Sequence, residues 1–146
     1  LEAPVVPMPP LDTNLEDYRQ RIESLGSSCR ARSVRCLFLT QPSMFRDDLT
    51  PDEESLLWFG WVNRASMDRG YVSAGDMATG LALFNRTLLE VCLRDGLECY
   101  DLAPQVPKDT SAFYDDVHFN EGGARIVARL LTDYLLSNPS VYADRR

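Results

Sequence analysis

Apolar positions recur with helical spacing in three stretches of the chain. Leu15, Tyr18, Ile22 and Leu25 share one face. So do Met77, Leu81, Phe84, Leu88 and Val91, and later Ile126, Val127, Leu130, Leu131, Tyr134 and Leu135. Residues three or four apart stack on one side of a helix, so each stretch predicts a helix with one buried face. Asn14 is expected to cap the first, which ends near Ala31. Ser73 or Asp76 is expected to cap the second, and Gly96 to stop it. Asn120 is expected to cap the third. Val34 to Thr40 and Leu97 to Leu102 are short apolar runs without clear alternation, as expected for strands covered on both faces.

Between these elements lie loops and one shorter helix start. In Thr50-Pro51-Asp52-Glu53, Pro51 fits the first helical position, and Thr50 and Glu53 have capping-box spacing. Leu56, Leu57, Trp58, Phe59 and Trp61 follow. Core packing is the preferred reading for this aromatic-rich insert, and the lip of a binding cleft is the alternative. Arg64 to Gly75 reads as loop, as does Ala103 to Ser111. Leu1 to Pro10 holds four prolines and reads as an extended, mobile connector. From Ser137 the chain is polar and expected to fray.

The order strand, helix, strand implies a parallel pair, because a crossover helix joins the two strands. The ends of both strands, and hence Gln41 and the Asp115–His118 turn, then share one rim. A two-stranded parallel sheet cannot bury its own faces or edges, so further strands are expected from outside this sequence.

Charge narrows the function classes. The 146 residues carry 22 acidic against 15 basic side chains, a net charge of −7. That balance opposes nucleic-acid binding, whose phosphates demand a basic surface. No apolar run approaches the roughly 18 residues of a membrane span. No initiator Met or signal-peptide pattern is present, so any leader is expected upstream.

Cys29, Cys36, Cys92 and Cys99 form two pairs of equal spacing, each bracketing a helix end and the next strand. Two local disulfides are one reading, which would imply an oxidising compartment. The preferred reading is four buried thiols, recurring because the same joint recurs. The spacing is too wide for a typical structural zinc site.

The candidate chemistry lies in Phe113 to Gly123, which holds the only histidine. Asp115 precedes His118 by three positions. Histidine titrates near neutrality, and a carboxylate on one ring nitrogen fixes the tautomer that leaves the other nitrogen basic. Asp116 is expected to be a neighbour without a catalytic role. Ser43 follows the first strand but lacks a nucleophile elbow. A metal site from Asp115, Asp116, His118 and Glu121 is a weaker alternative. No cofactor and no metal are called for.

The block Tyr114 to Ala128, YDDVHFNEGGARIVA, resembles the last conserved block of the SGNH (GDSL-like) hydrolases, in which an Asp-x-x-His pair completes a Ser-His-Asp triad. Asn14 to Phe45, with its Thr40-Gln41-Pro42 exit, and Leu83 to Leu102 are similar to that family's preceding segments. The resemblance implies the C-terminal part of a flavodoxin-like, three-layer α/β/α fold with parallel strands. On that reading, residues 1–13 are a connector, 14–137 the domain portion and 138–146 a tail.

The resemblance also implies hydrolysis of ester bonds, with His118 as base and Asp115 orienting it, on a small-molecule substrate such as an acylated sugar or lipid. The family's Gly-Asp-Ser, oxyanion-hole Gly and Gly-x-Asn-Asp motifs are absent here. The chain alone is therefore expected to be inactive and to need the N-terminal half of the domain. Secretion or a periplasmic location is favoured by the family only. The alternative function is a non-catalytic carbohydrate- or lipid-binding module on a degenerate hydrolase fold.

Overall fold

A computed structural model describes residues 4–63 and 69–139. The chain runs through α1 (Asp12–Ala31), β1 (Leu37–Leu39), α2 (Pro51–Glu54), β2 (Trp61–Val62), β3 (Gly70–Tyr71), α3 (Ala74–Asp95), β4 (Glu98–Tyr100), a short 3-10 turn (Ala103–Gln105) and α4 (Glu121–Ser137). Leu1 to Ala3 of the expected connector, Arg64 to Asp68 of the expected loop and the end of the expected tail lie outside the described residues.

β1 and β4 pair in parallel, with Phe38 opposite Cys99 and Leu39 opposite Tyr100. The fold is thus mixed α/β with a small parallel sheet. Side-chain alternation sends these two rows to opposite faces. Phe38 and Cys99 pack with Ile22, Leu88 and Val91 of α1 and α3. Leu39 and Tyr100 pack with Met44, Leu102 and Phe113 and with residues of α4. Tyr100 lies 4.8 Å from Tyr134 between ring centroids. Both faces of the strands are therefore covered. Among the described residues, β1 has β4 as its only partner, so its other edge carries no strand.

The helix boundaries follow local chemistry in most places. The Thr50–Glu53 capping box forms in full, with Pro51 at the first position of α2. Ser73 rather than Asp76 caps α3, accepting from the Asp76 amide. Gly96 ends α3 in the left-handed region at φ 62°. α1 departs from expectation: it begins at Asp12 behind Leu11, without a side-chain cap, so Asn14 is already helical. Leu11, half-buried, lines an apolar cavity with Phe84 and Phe59.

Three further expectations are corrected. The preferred thiol reading gives way to two disulfides, Cys29–Cys36 and Cys92–Cys99. In each, the strand turns straight back along the helix end, holding the Cα atoms 6.2 Å apart, within bonding reach. Of the aromatic-rich insert only Leu57 packs against the core: Trp58, Phe59 and Trp61 are 52%, 46% and 38% exposed. The described part of the expected connector is held at Pro4 and Val6 rather than loose. Tyr71 donates its amide to the Pro4 carbonyl and accepts from the Val6 amide, both at 2.9 Å. On its other side, β3 pairs antiparallel with β2. Strands of two residues are too short to leave a periodic signature, so sequence pattern read Gly70 and Tyr71 as loop.

Candidate active site

The turn between the 3-10 segment and α4 is built by backbone closure at both ends. Phe113 and Phe119 form an antiparallel bridge, and the Tyr114 amide donates to the His118 carbonyl at 3.2 Å. Asn120 locks the exit. Its side-chain oxygen accepts from the Gly123 amide at 3.0 Å, and its amide nitrogen donates to the Thr110 carbonyl at 2.7 Å. The first turn of α4 presses on the 111–112 backbone so closely that a Cβ on Gly123 would sit 2.0 Å from the Ala112 oxygen. Glycine is required there by contact.

Within this turn, Asp115 is 7% exposed. Its Oδ1 accepts from the amides of Val117 and His118 at 3.0 and 2.8 Å. Its Oδ2 faces His118 Nδ1 at 2.9 Å. An ionised carboxylate can only accept, so Nδ1 carries the proton and Nε2 keeps a lone pair in the neutral ring. Burial pushes the Asp115 carboxyl up. The His118 and Val117 amides and the His118 ring outweigh it, and the net shift is downward. The carboxyl therefore stays ionised at neutral pH.

The imidazole itself is half exposed while its partner is enclosed. Among the described residues Asp115 is the ring's only hydrogen-bond partner, which leaves Nε2 available. Aromatic rings flank it. Tyr114 lies parallel at 5.8 Å between centroids, and Trp58 lies 6.2 Å away at 37°. Chemically, the arrangement is an oriented base beside solvent.

Asp116 has more to do than its neighbour's bystander. It is fully buried. Its Oδ2 accepts from the amides of Trp58 and Phe59 at 3.2 and 2.8 Å. Its carbonyl accepts from Met44, just past β1. Its Oδ1 is buried with no partner among the described residues. Tyr71 is also near: burial, then the charges of Glu54 and Asp116, push its hydroxyl pKa up. No sequence signal marked this role, because the two carboxylates of the doublet differ only in what the fold brings to each.

Ser43 is 4% exposed. It lines a cavity with Gln41, Asn85 and Asp101, and no hydrogen bond links it to His118 among the described residues. The carboxylates considered as metal ligands do not converge: among the described residues no group of three or more His, Cys, Asp or Glu is arranged to hold an ion. No described helix is long and apolar enough to cross a membrane. No family model matches the chain, and neither a curated protein nor a solved structure does.

Proposed function

We propose that this chain supplies the base and its orienting carboxylate to a Ser-His-Asp ester hydrolase of the SGNH type. The observation that carries the reading is the Asp115–His118 pair: a buried, ionised carboxylate on Nδ1 of a half-exposed imidazole. In this reading His118 Nε2 takes the proton of a serine hydroxyl as it attacks the ester carbonyl. It then returns that proton to the departing alkoxide, and a water repeats the cycle on the acyl-enzyme. Asp115 holds the tautomer and stabilises the imidazolium.

The serine and the oxyanion donors come from a segment other than these residues. Among the described residues one edge of β1 carries no strand; an uncovered edge calls for a partner, and this supports a sheet that continues there. Acylated sugars or lipids are the substrates proposed.

The test replaces His118 with Ala in the full-length protein and follows p-nitrophenyl acetate hydrolysis. Loss of about three to four orders of magnitude in turnover is expected for a triad member. Activity within tenfold of wild type would overturn the assignment. The exposed Trp58, Phe59 and Tyr114 favour a second reading, a binding module without catalysis. Failure of a fluorophosphonate to label any serine of the full-length protein would support that module instead.

A further inference from the structure

Asp116 sits between two groups that contact pattern treats separately. On one side is the catalytic turn, in which it follows Asp115 directly. On the other is the Trp58–Phe59 segment, whose two amides it accepts at 3.2 and 2.8 Å. The accepting carboxylate has no solvent exposure. Hydrogen bonds buried away from water are costly to leave unmade, so the segment is tied to this residue. The tie fixes two side chains. Trp58 is held 6.2 Å from the His118 ring. Phe59 lines a cavity of about 280 Å³ together with Phe45, Met77, Leu81, Phe84 and Val117. Val117 belongs to the catalytic turn itself, and its amide donates to Asp115. The cavity thus includes in its lining the residue that precedes the base in the chain. Its named lining carries no charged or hydrogen-bonding side chain, so a ligand there is selected by apolar area alone.

We propose that Asp116 is a positioning residue: it clamps the Trp58–Phe59 segment so that Trp58 walls the base and Phe59 closes an apolar cavity for a medium-length acyl chain. The inference rests on the esterase reading for its catalytic consequence. Its structural content, an acyl-sized apolar site closed by Phe59, stands apart from that reading.

Each methylene moved from water into such a cavity favours binding by about fourfold. Discrimination between a decanoyl and an acetyl ester should therefore depend strongly on whether Phe59 stays in place. Asp116→Ala removes both acceptor oxygens and frees the segment. Asp116→Asn retains one oxygen for the two amides and should hold it. Phe59→Ala opens the cavity without touching the clamp.

The experiment compares kcat/KM for p-nitrophenyl decanoate and acetate in the full-length protein and measures sodium decanoate binding by calorimetry. Asp116→Ala and Phe59→Ala should each lower the decanoate-to-acetate ratio at least tenfold, chiefly through KM. Each should weaken decanoate binding to the same degree. Asp116→Asn should restore most of both, which general destabilisation would not do. An unchanged ratio and unchanged decanoate affinity in Phe59→Ala would overturn the proposal, whatever Asp116→Ala does to folding. If no ester is hydrolysed at all, the esterase reading fails, and the decanoate titration alone decides this one: tight binding lost in Phe59→Ala supports it, and no binding sinks it.

Discussion

Replacing Asp115 with Asn changes one atom and should silence the base without unfolding the turn. The structure decides which way the new amide faces. Oδ1 accepts two backbone amides, from Val117 and His118, while His118 Nδ1 lies 2.9 Å from Oδ2 and 3.1 Å from Oδ1. If the amide oxygen took the ring side, the NH2 group would confront two backbone donors, leaving both unsatisfied at about 1–3 kcal/mol each. If the oxygen stays at the Oδ1 position, both backbone bonds survive and the NH2 group donates to Nδ1. The second arrangement wins by roughly the value of one to two buried hydrogen bonds.

Because the NH2 group takes the shorter of the two contacts to Nδ1, that arrangement favours the proton on Nε2, the nitrogen that must accept from the nucleophile. Holding the wrong tautomer costs about four orders of magnitude in turnover in a serine-protease triad. That is about 5.4 kcal/mol at 1.36 kcal/mol per decade. Because the backbone bonds persist, the folded state should lose only about 1 kcal/mol, the value of a typical hydrogen bond. The assay is steady-state hydrolysis of p-nitrophenyl acetate by the full-length protein, with urea unfolding run in parallel. A variant with turnover within tenfold of wild type would refute the tautomer argument. A variant inactive only because it is unfolded would refute the orientation argument.

Other consequences follow from the packing. Gly123→Ala should destabilise the fold despite alanine's better helix propensity, worth about 1 kcal/mol. The added Cβ would lie 2.0 Å from the Ala112 oxygen, and relieving overpacking typically costs about 1–3 kcal/mol, so a raised urea midpoint would contradict the geometry. The acid limb of stability should depend on Glu53, which the Arg46 side chain and the Thr50 amide pull from 4.5 down to about 2. Protonation then favours the unfolded chain, so this contribution is complete above about 4.5 and drains away as pH falls towards about 2. Glu53→Gln should flatten the stability profile in that window, and an unaltered profile would count against the Arg46 pairing. Under denaturing, non-reducing conditions a thiol reagent should find no thiol among Cys29, Cys36, Cys92 and Cys99. Each bridge closes a loop with a sequence separation of 7. Chain entropy assigns such a loop about 2 kcal/mol, and reduction leaving the melting temperature unchanged would argue against that contribution.

Where a feature depends on neighbours in the chain, the sequence by itself determined it. The Thr50–Glu53 capping box, the Gly96 stop and the Asn120 cap were legible because each joins groups within one helical turn. The β1–β4 pairing was legible because a helix-linked strand pair has few topologies open to it. The Asp115–His118 contact was legible because three residues of spacing in a tight turn brings both side chains to one side. Distance along the chain set the limit. Asp116 meets the Trp58 amide across 58 positions, and Tyr71 joins Pro4 and Val6 to β2. Nothing local in Trp58 or Phe59 distinguishes an aromatic ring bound for the core from one held at the surface beside an imidazole. The disulfides were open to either reading because spacing alone cannot tell whether a strand turns back along its helix. Those outcomes belong to tertiary structure, because they turn on which distant backbone donors a buried carboxylate meets and which surfaces are left uncovered once the helices have packed.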